Sequence, residues 1–151
     1  MFKPLYIITL TLPLLLLSAC NNEDDIEEIF PGKTWYMNGA TINGMKLNSD
    51  IRNFYTEAGE GAYYISFASN TFKGELSDGA NFAGTWSANG KKQTITLNIT
   101  QAPTITQPFD QNIYNILTNI HSYKSGADFL HLKKDGENVI LFGDSRSKVI
   151  N

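Results

Sequence analysis

Between residues 33 and 143 the chain alternates apolar and polar positions over short runs, and turn-forming pairs separate those runs. In "QTITLNIT", Ile95, Leu97 and Ile99 fall on one side and Thr94, Thr96 and Asn98 on the other. A period of two is that of a strand with one buried and one wet face. "TWYMNGAT" and "MKL" flank Asn43-Gly44, "AYYISFA" and "TFKGEL" flank Ser69-Asn70, and Asp78-Gly79 leads into "NFAGTWSA". Asn89-Gly90 precedes "QTITLNIT", and Asp135-Gly136 joins "DFLHLKK" to "ENVILFG". Asn-Gly and Asp-Gly tolerate the positive φ of tight hairpins, so these pairs predict turns between antiparallel strands.

One segment changes period. In "PFDQNIYNILTNIHSYKSG", Phe109, Ile113, Ile116, Leu117 and Ile120 recur at spacings of three and four, which predicts a single amphipathic helix. Asp110 is placed to cap it, and Gly126 to follow its end. The predicted fold is mainly β (α+β): an antiparallel barrel-like or sandwich-like sheet with one amphipathic helix before the last hairpin. Closing the sheet removes its edges, and the helix covers an open end or an exposed apolar face. Roughly 110 residues make one core of ordinary size and leave no room for a second domain.

The first residues follow neither pattern. Lys3 precedes an apolar run from Leu5 to Leu17, broken by Thr9, Thr11 and Pro13, and Ser18-Ala19 leads into Cys20, the single cysteine of 151 residues. A basic start, an apolar stretch and small residues at a cleavage point make a signal peptide over residues 1–19. Crossing a bilayer as a helix takes about 20 apolar residues, more than this run holds. Leu17-Ser18-Ala19-Cys20 resembles the lipobox of bacterial lipoproteins, where the cysteine thiol is joined to diacylglycerol, the chain is cut before it and the new amine is acylated. The resemblance makes Cys20 the lipidation site and first residue of the mature protein. Two or three acyl chains, at about 0.8 kcal/mol per buried CH₂, hold a domain durably on a membrane. A secreted protein with a buried cysteine near its start is the plainer alternative. Once the Cys20 thiol is joined to diacylglycerol, no thiol remains for a disulfide, a zinc site or a nucleophile.

Glu23, Asp24, Asp25, Glu27 and Glu28 follow, then Pro31-Gly32. Such a stretch predicts a solvated acidic tether over residues 20–32. An acidic run directly behind a lipidated cysteine also resembles the signal that sends Bacteroidetes lipoproteins to the outer face of the outer membrane. That implies a lipid anchor in the outer membrane, surface-exposed rather than periplasm-facing. Loss of Lys3 with the leader moves the formal net charge from −3 to −4, which argues against nucleic acid as a partner.

A second resemblance covers most of the domain. The run "FKGELSDGANFAGTWSANGKKQTITL" is similar to the META domain family, typified by the heat-shock lipoprotein HslJ, whose strands carry a Gly-Cys-Asn motif followed by a glycine and an aromatic residue. Gly79-Ala80-Asn81 stands in place of that motif, with Gly84 and Trp86 after it. "IYNILTNIHSYKSGADFLHLKKDGENVILFG" is similar to the family's closing helix and hairpin. Ala80 replaces the family's cysteine, and "TQAPTITQPF" replaces its second cysteine region, which places the chain in a divergent Bacteroidetes branch. The family implies an envelope lipoprotein without established catalytic residues. The resulting division is residues 20–32 as tether, 33–143 as META/HslJ-like β domain and 144–151 as C-terminal tail.

Little in the chain offers catalysis. His121 is placed on the late helix and His131 on a strand, opposite in direction to Leu130 and Leu132. Without H-x-x-x-H or HExxH spacing they predict no metal site. There is no G-x-S-x-G around a serine, and a Ser-His-Asp triad can be drawn in almost any chain of this size. Glu57 with Glu60, or Glu75 with Asp78, could pair for glycoside hydrolysis, but both pairs sit in Gly-rich, solvated surroundings. Gly84-Thr85-Trp86 is the G-x-W of lipocalins, yet it falls mid-domain, where a tryptophan after a glycine packs the core. Trp35, Trp86, Tyr63, Tyr64 and Phe67 could line a pocket or form a glycan-stacking face, with the Gly-rich segment from Thr56 to Ala62 as its lip. The sequence thus predicts a non-catalytic binding or accessory module, not an enzyme, with no cofactor. Its partners are the membrane through Cys20 and an envelope protein or a small apolar or glycan ligand. A lipocalin-like carrier or sensor is the second reading, and a small hydrolase the third.

Overall fold

The alternating runs fold as strands of one antiparallel sheet. The structure is a computed structural model that describes residues 23–47, 63–77 and 79–144. Among these residues lie nine strands: β1 (Thr34–Ile42), β2 (Met45–Lys46), β3 (Tyr64–Phe67), β4 (Thr71–Glu75), β5 (Asn81–Asn89), β6 (Thr94–Gln101), β7 (Ser122–Ser125), β8 (Phe129–Lys133) and β9 (Val139–Asp144). The helices are α1 (Ile26–Ile29) and α2 (Pro108–Leu117). Strands β1 and β3 to β9 pair in sequence order, and β9 returns to β1 with Trp35 opposite Asp144 and Thr41 opposite Val139. The result is a barrel-like ring, not evenly round, with β2 hanging from the end of β1 as a short hairpin.

Inward positions form the core. Ile95 and Leu97 are buried while Thr94, Thr96 and Asn98 are exposed, and Leu130 and Leu132 are buried on either side of half-buried His131. β6 and β7 meet only at Thr94 and Ser122. The backbone of His121 helps to hold that junction, its carbonyl accepting from the Ile95 N–H and its N–H donating to the Lys133 carbonyl, each at 3.1 Å. α2 connects the two strands where they diverge and brings Ile113, Ile116 and Leu117 into the core.

Three local expectations change. The helix is shorter than its apolar spacing suggests, because Ser122–Ser125 pairs with β8 as a strand. His121 is therefore exposed and lies beyond the helix, and three strands follow it rather than two. The N-cap is Gln107, with Pro108 opening the helix, and Asp110 sits inside the first turn, 1% exposed. Proline suits the first helical position because its missing N–H has no partner to lose there, and it fixes the start upstream of Asp110.

The turns also differ among themselves. Asn43 and Gly44 take φ of 50° and 78°, the paired positive values of a tight hairpin. After Asn89, by contrast, the positive φ of 52° falls on Gln93 and not on Gly90. The segments with Thr56 to Ala62, Glu57, Glu60 and Asp78 lie outside the described residues.

The acidic stretch joins the fold. Asp25 caps α1 by accepting from the Glu27 N–H at 3.0 Å, Ile26 and Ile29 pack on the core, and Phe30 is 0% exposed. Apolar Ile26, Ile29 and Phe30 supply the burial that a purely acidic tether lacks.

Candidate functional site

Each strand runs opposite to its neighbours, so successive connections alternate between the two ends of the ring. One end carries the β3–β4, β5–β6 and β7–β8 turns together with residues 23–33. The other carries the Asn43-Gly44 turn, Tyr63 at the entry of β3, Leu76 and Ser77 after β4, the β8–β9 turn and the start of α2.

At the first end, Phe30 closes an aromatic cluster. Its ring centroid lies 5.1 Å from Phe67, 5.0 Å from Trp86 and 5.2 Å from Tyr123. Trp86 donates its indole N–H to the Ala68 carbonyl at 2.9 Å, and Trp35 donates to the Ile29 carbonyl at 3.1 Å. Asp24 lies over the β5–β6 turn, its N–H donating to the Gly90 carbonyl at 3.4 Å and its carboxylate accepting from Gln93 Nε2 at 3.0 Å. Gly90 permits that approach, because a Cβ there would stand 2.1 Å from the Asp24 carbonyl oxygen. Asp24 also neighbours the buried Tyr123 hydroxyl without hydrogen-bonding geometry. Burial first, and that carboxylate second, push the Tyr123 phenol up to about 12.

At the second end, three donors converge on one buried carboxylate. Tyr63 Oη donates to Asp110 Oδ1 at 2.7 Å, the Ser77 N–H donates to Oδ2 at 3.2 Å, and the Ser77 hydroxyl donates to the same oxygen. Tyr63 holds an unusual φ of 56° as it enters β3. The group joins the start of α2 to two strand connections. Among the described residues it is built from a carboxylate, two hydroxyls and a backbone N–H, and it ties these segments together.

The predicted aromatic face is only partly realised. Trp35, Tyr63 and Phe67 are buried, and Trp86 is half-buried against Phe30. Tyr64 faces outward in a cross-strand row the sequence reading did not assemble. Phe129 pairs with Gly143, Gly143 with Tyr36, Tyr36 with Tyr64, and Tyr64 with Glu75. Phe129, Tyr36 and Tyr64 are half-buried, with 6.1 Å between the two tyrosine rings. The signal lay in the alternation itself. Where Trp35 and Met37 point in, Tyr36 points out, and where Leu130 and Leu132 point in, Phe129 and His131 point out.

Charged groups border this row. His131 lies 4.8 Å from Phe129, ring to ring, and opposite Lys124. Burial, then Lys133 and Lys124, hold His131 below its ordinary pKa. Burial, then Glu75 and Tyr36, raise Tyr64. Among the described residues, no three His, Cys, Asp or Glu side chains are grouped to hold a metal. The arrangement offers stacking and polar contact at a surface.

No curated protein matches the sequence. The chain is similar in structure to a DUF4847 family protein from Bacteroides vulgatus ATCC 8482, with a TM-score of 0.60 and 25% identity, covering 78% of this chain and 96% of that one. The family described as Domain of unknown function (DUF4847) matches residues 21–143. That span takes in α1 and all of the ring except Asp144, the last residue of β9, and the chain belongs to the DUF4847 family.

Proposed function

We propose that this chain is a lipid-anchored protein of the outer membrane, facing outward, that binds a partner and does not transform a substrate. The observation that carries the reading is where the fold takes hold of the chain. Asp24 is already bonded to the β5–β6 turn, four residues after Cys20 in the sequence, so only a few residues of chain separate the lipobox cysteine from the docked acidic segment.

Kinship of the ring with META/HslJ-like lipoproteins belongs to the same reading. Gly79 takes a φ of 73°, Ala80 is buried and Asn81 donates to the Gly79 carbonyl at 2.8 Å. Gly-Ala-Asn thus makes a built turn where that family has Gly-Cys-Asn.

Binding is assigned to the outer row of Phe129, Tyr36 and Tyr64, which takes a protein or glycan partner by ring stacking. Packing inside the ring favours this over the carrier reading, because Phe30, Phe67, Trp86 and Tyr123 fill space against one another. The test is Cys20→Ser in the full-length chain expressed in its own cells. Acyl labelling is lost and the protein leaves the membrane fraction. Labelling that persists overturns the assignment.

A further inference from the structure

We infer that the anchored ring stands on the phospholipid headgroup surface by the end that carries the β3–β4, β5–β6 and β7–β8 turns, and holds the end with Tyr63, Ser77 and the start of α2 away from the membrane. The inference rests on Cys20 being the lipidated residue. It goes beyond that reading by fixing how the domain is turned.

The argument is one of reach. The chain is fastened to the first end at several separate points. Asp24 is bonded to Gly90 and Gln93, the Ile29 carbonyl accepts from Trp35 Nε1, and the Gly32 N–H donates to the Phe67 carbonyl at 2.8 Å. Between them Phe30 is fully buried. Only Asn21, Asn22 and Glu23 separate Cys20 from Asp24. Four Cα-to-Cα steps span at most about 14 Å even when fully extended. A free tether of twelve residues would have a root-mean-square reach of about 20 Å and would leave the domain loose to turn.

The far end lies outside that reach. β1 and β5 have nine residues each, about 30 Å of strand, and the usual barrel tilt leaves on the order of 20 Å of height. With acyl chains in the hydrocarbon and Cys20 at the headgroups, the β5–β6 turn with exposed Lys91 and Lys92 must lie beside the lipid. Charge does not set this orientation, since exposed Glu23, Asp25, Glu27 and Glu28 sit at the same end. Chain length sets it, so it persists at high salt.

The experiment uses full-length acylated protein purified from its own cells and placed in phosphatidylcholine vesicles containing headgroup-spin-labelled lipid. Lys92→Cys and Glu137→Cys, both at exposed positions, are each labelled with a fluorophore, which the thioether at Cys20 does not accept. The label at residue 92 loses most of its emission and the label at residue 137, in the β8–β9 turn, keeps its own, in low and in high salt. Adding Gly90→Ala, which pushes Asp24 off the turn, narrows the contrast. Equal or reversed quenching on protein whose mass shows the acyl chains overturns the orientation alone. A mature chain without acyl mass overturns the Cys20 reading and this inference together.

Discussion

The Tyr63 hydroxyl donates to Asp110 Oδ1 at 2.7 Å, tying the entry of β3 to the first turn of α2 across 47 positions of sequence. Ser77, from the β4–β5 connection, binds the other oxygen of the same carboxylate. Asp110→Ala removes the acceptor that a buried N–H and two buried hydroxyls share, and destabilises the protein by about 1–3 kcal/mol. Tyr63→Phe costs on the order of 1 kcal/mol. Because both act on one network, the double variant falls short of the sum by at least about 0.5 kcal/mol. Urea denaturation of the four proteins measures this, and strict additivity would show that the tie is not a unit.

Gly90 and Asp24 give a sharper local test. A Cβ at Gly90 meets the Asp24 carbonyl at 2.1 Å, whereas one at Gly136 meets nothing within 4 Å. Gly90→Ala therefore pushes Asp24 off the turn, loosens the start of the segment that follows it, and costs about 1–3 kcal/mol by overpacking. Gly136→Ala stays within about 0.5 kcal/mol of the parent. Amide exchange at Ile26 to Phe30 rises in the first variant only, and equal protection in both would mean the acidic segment is not docked.

Much of the ring was legible because its strands have one wet face. Ile95, Leu97, Leu130 and Leu132 declare their direction by alternation, and so does His131. What escaped was decided by contacts distant in sequence. Asp110 reads as a helix cap because nothing local reveals Ser77 and Tyr63 waiting inside. Ser122–Ser125 reads as helix because Tyr123 also fits the helical spacing, and only pairing with β8 and burial of that tyrosine make it a strand. Residues 23–30 read as tether because five carboxylates outweigh Ile26, Ile29 and Phe30 in composition, although the apolar three decide the packing. In the outer row, the alternation was visible but not the register that lines up Phe129, Tyr36 and Tyr64.

Phe30 offers the most direct measure of whether the acidic segment is structural. Its side chain is 0% exposed among Phe67, Trp86 and Tyr123. Phe30→Ala leaves a cavity there and lowers stability by about 3–5 kcal/mol. Met45→Ser, at a side chain 68% exposed, changes stability by no more than about 0.5 kcal/mol. Thermal and urea denaturation report the difference. A silent Phe30→Ala would return residues 20–32 to the role of a free tether and remove the footing on which the membrane orientation depends.

His131 predicts the acid side of the stability profile. Its pKa in the folded protein lies below its ordinary value, through burial first and then Lys133 and Lys124. The unfolded chain therefore takes up the proton more readily, and acidification favours unfolding. The contribution of His131 is fully present above the unfolded pKa of about 6.5 and is lost as the pH falls through the lower folded value. Half-exposure and screening keep the effect modest. His131→Gln removes it, so the difference in urea midpoint between about pH 7.5 and pH 5 becomes smaller than in the parent. Lys124→Gln, relieving a like charge in direct cross-strand register, moves the parent part of the way in the same direction. A partner stacked on Phe129 and Tyr36 would bury His131 further and deepen the loss, so binding to the proposed face would weaken as the pH falls through the lowered His131 value. Parallel pH profiles for the parent and His131→Gln would show that His131 does not carry the acid side of the stability profile.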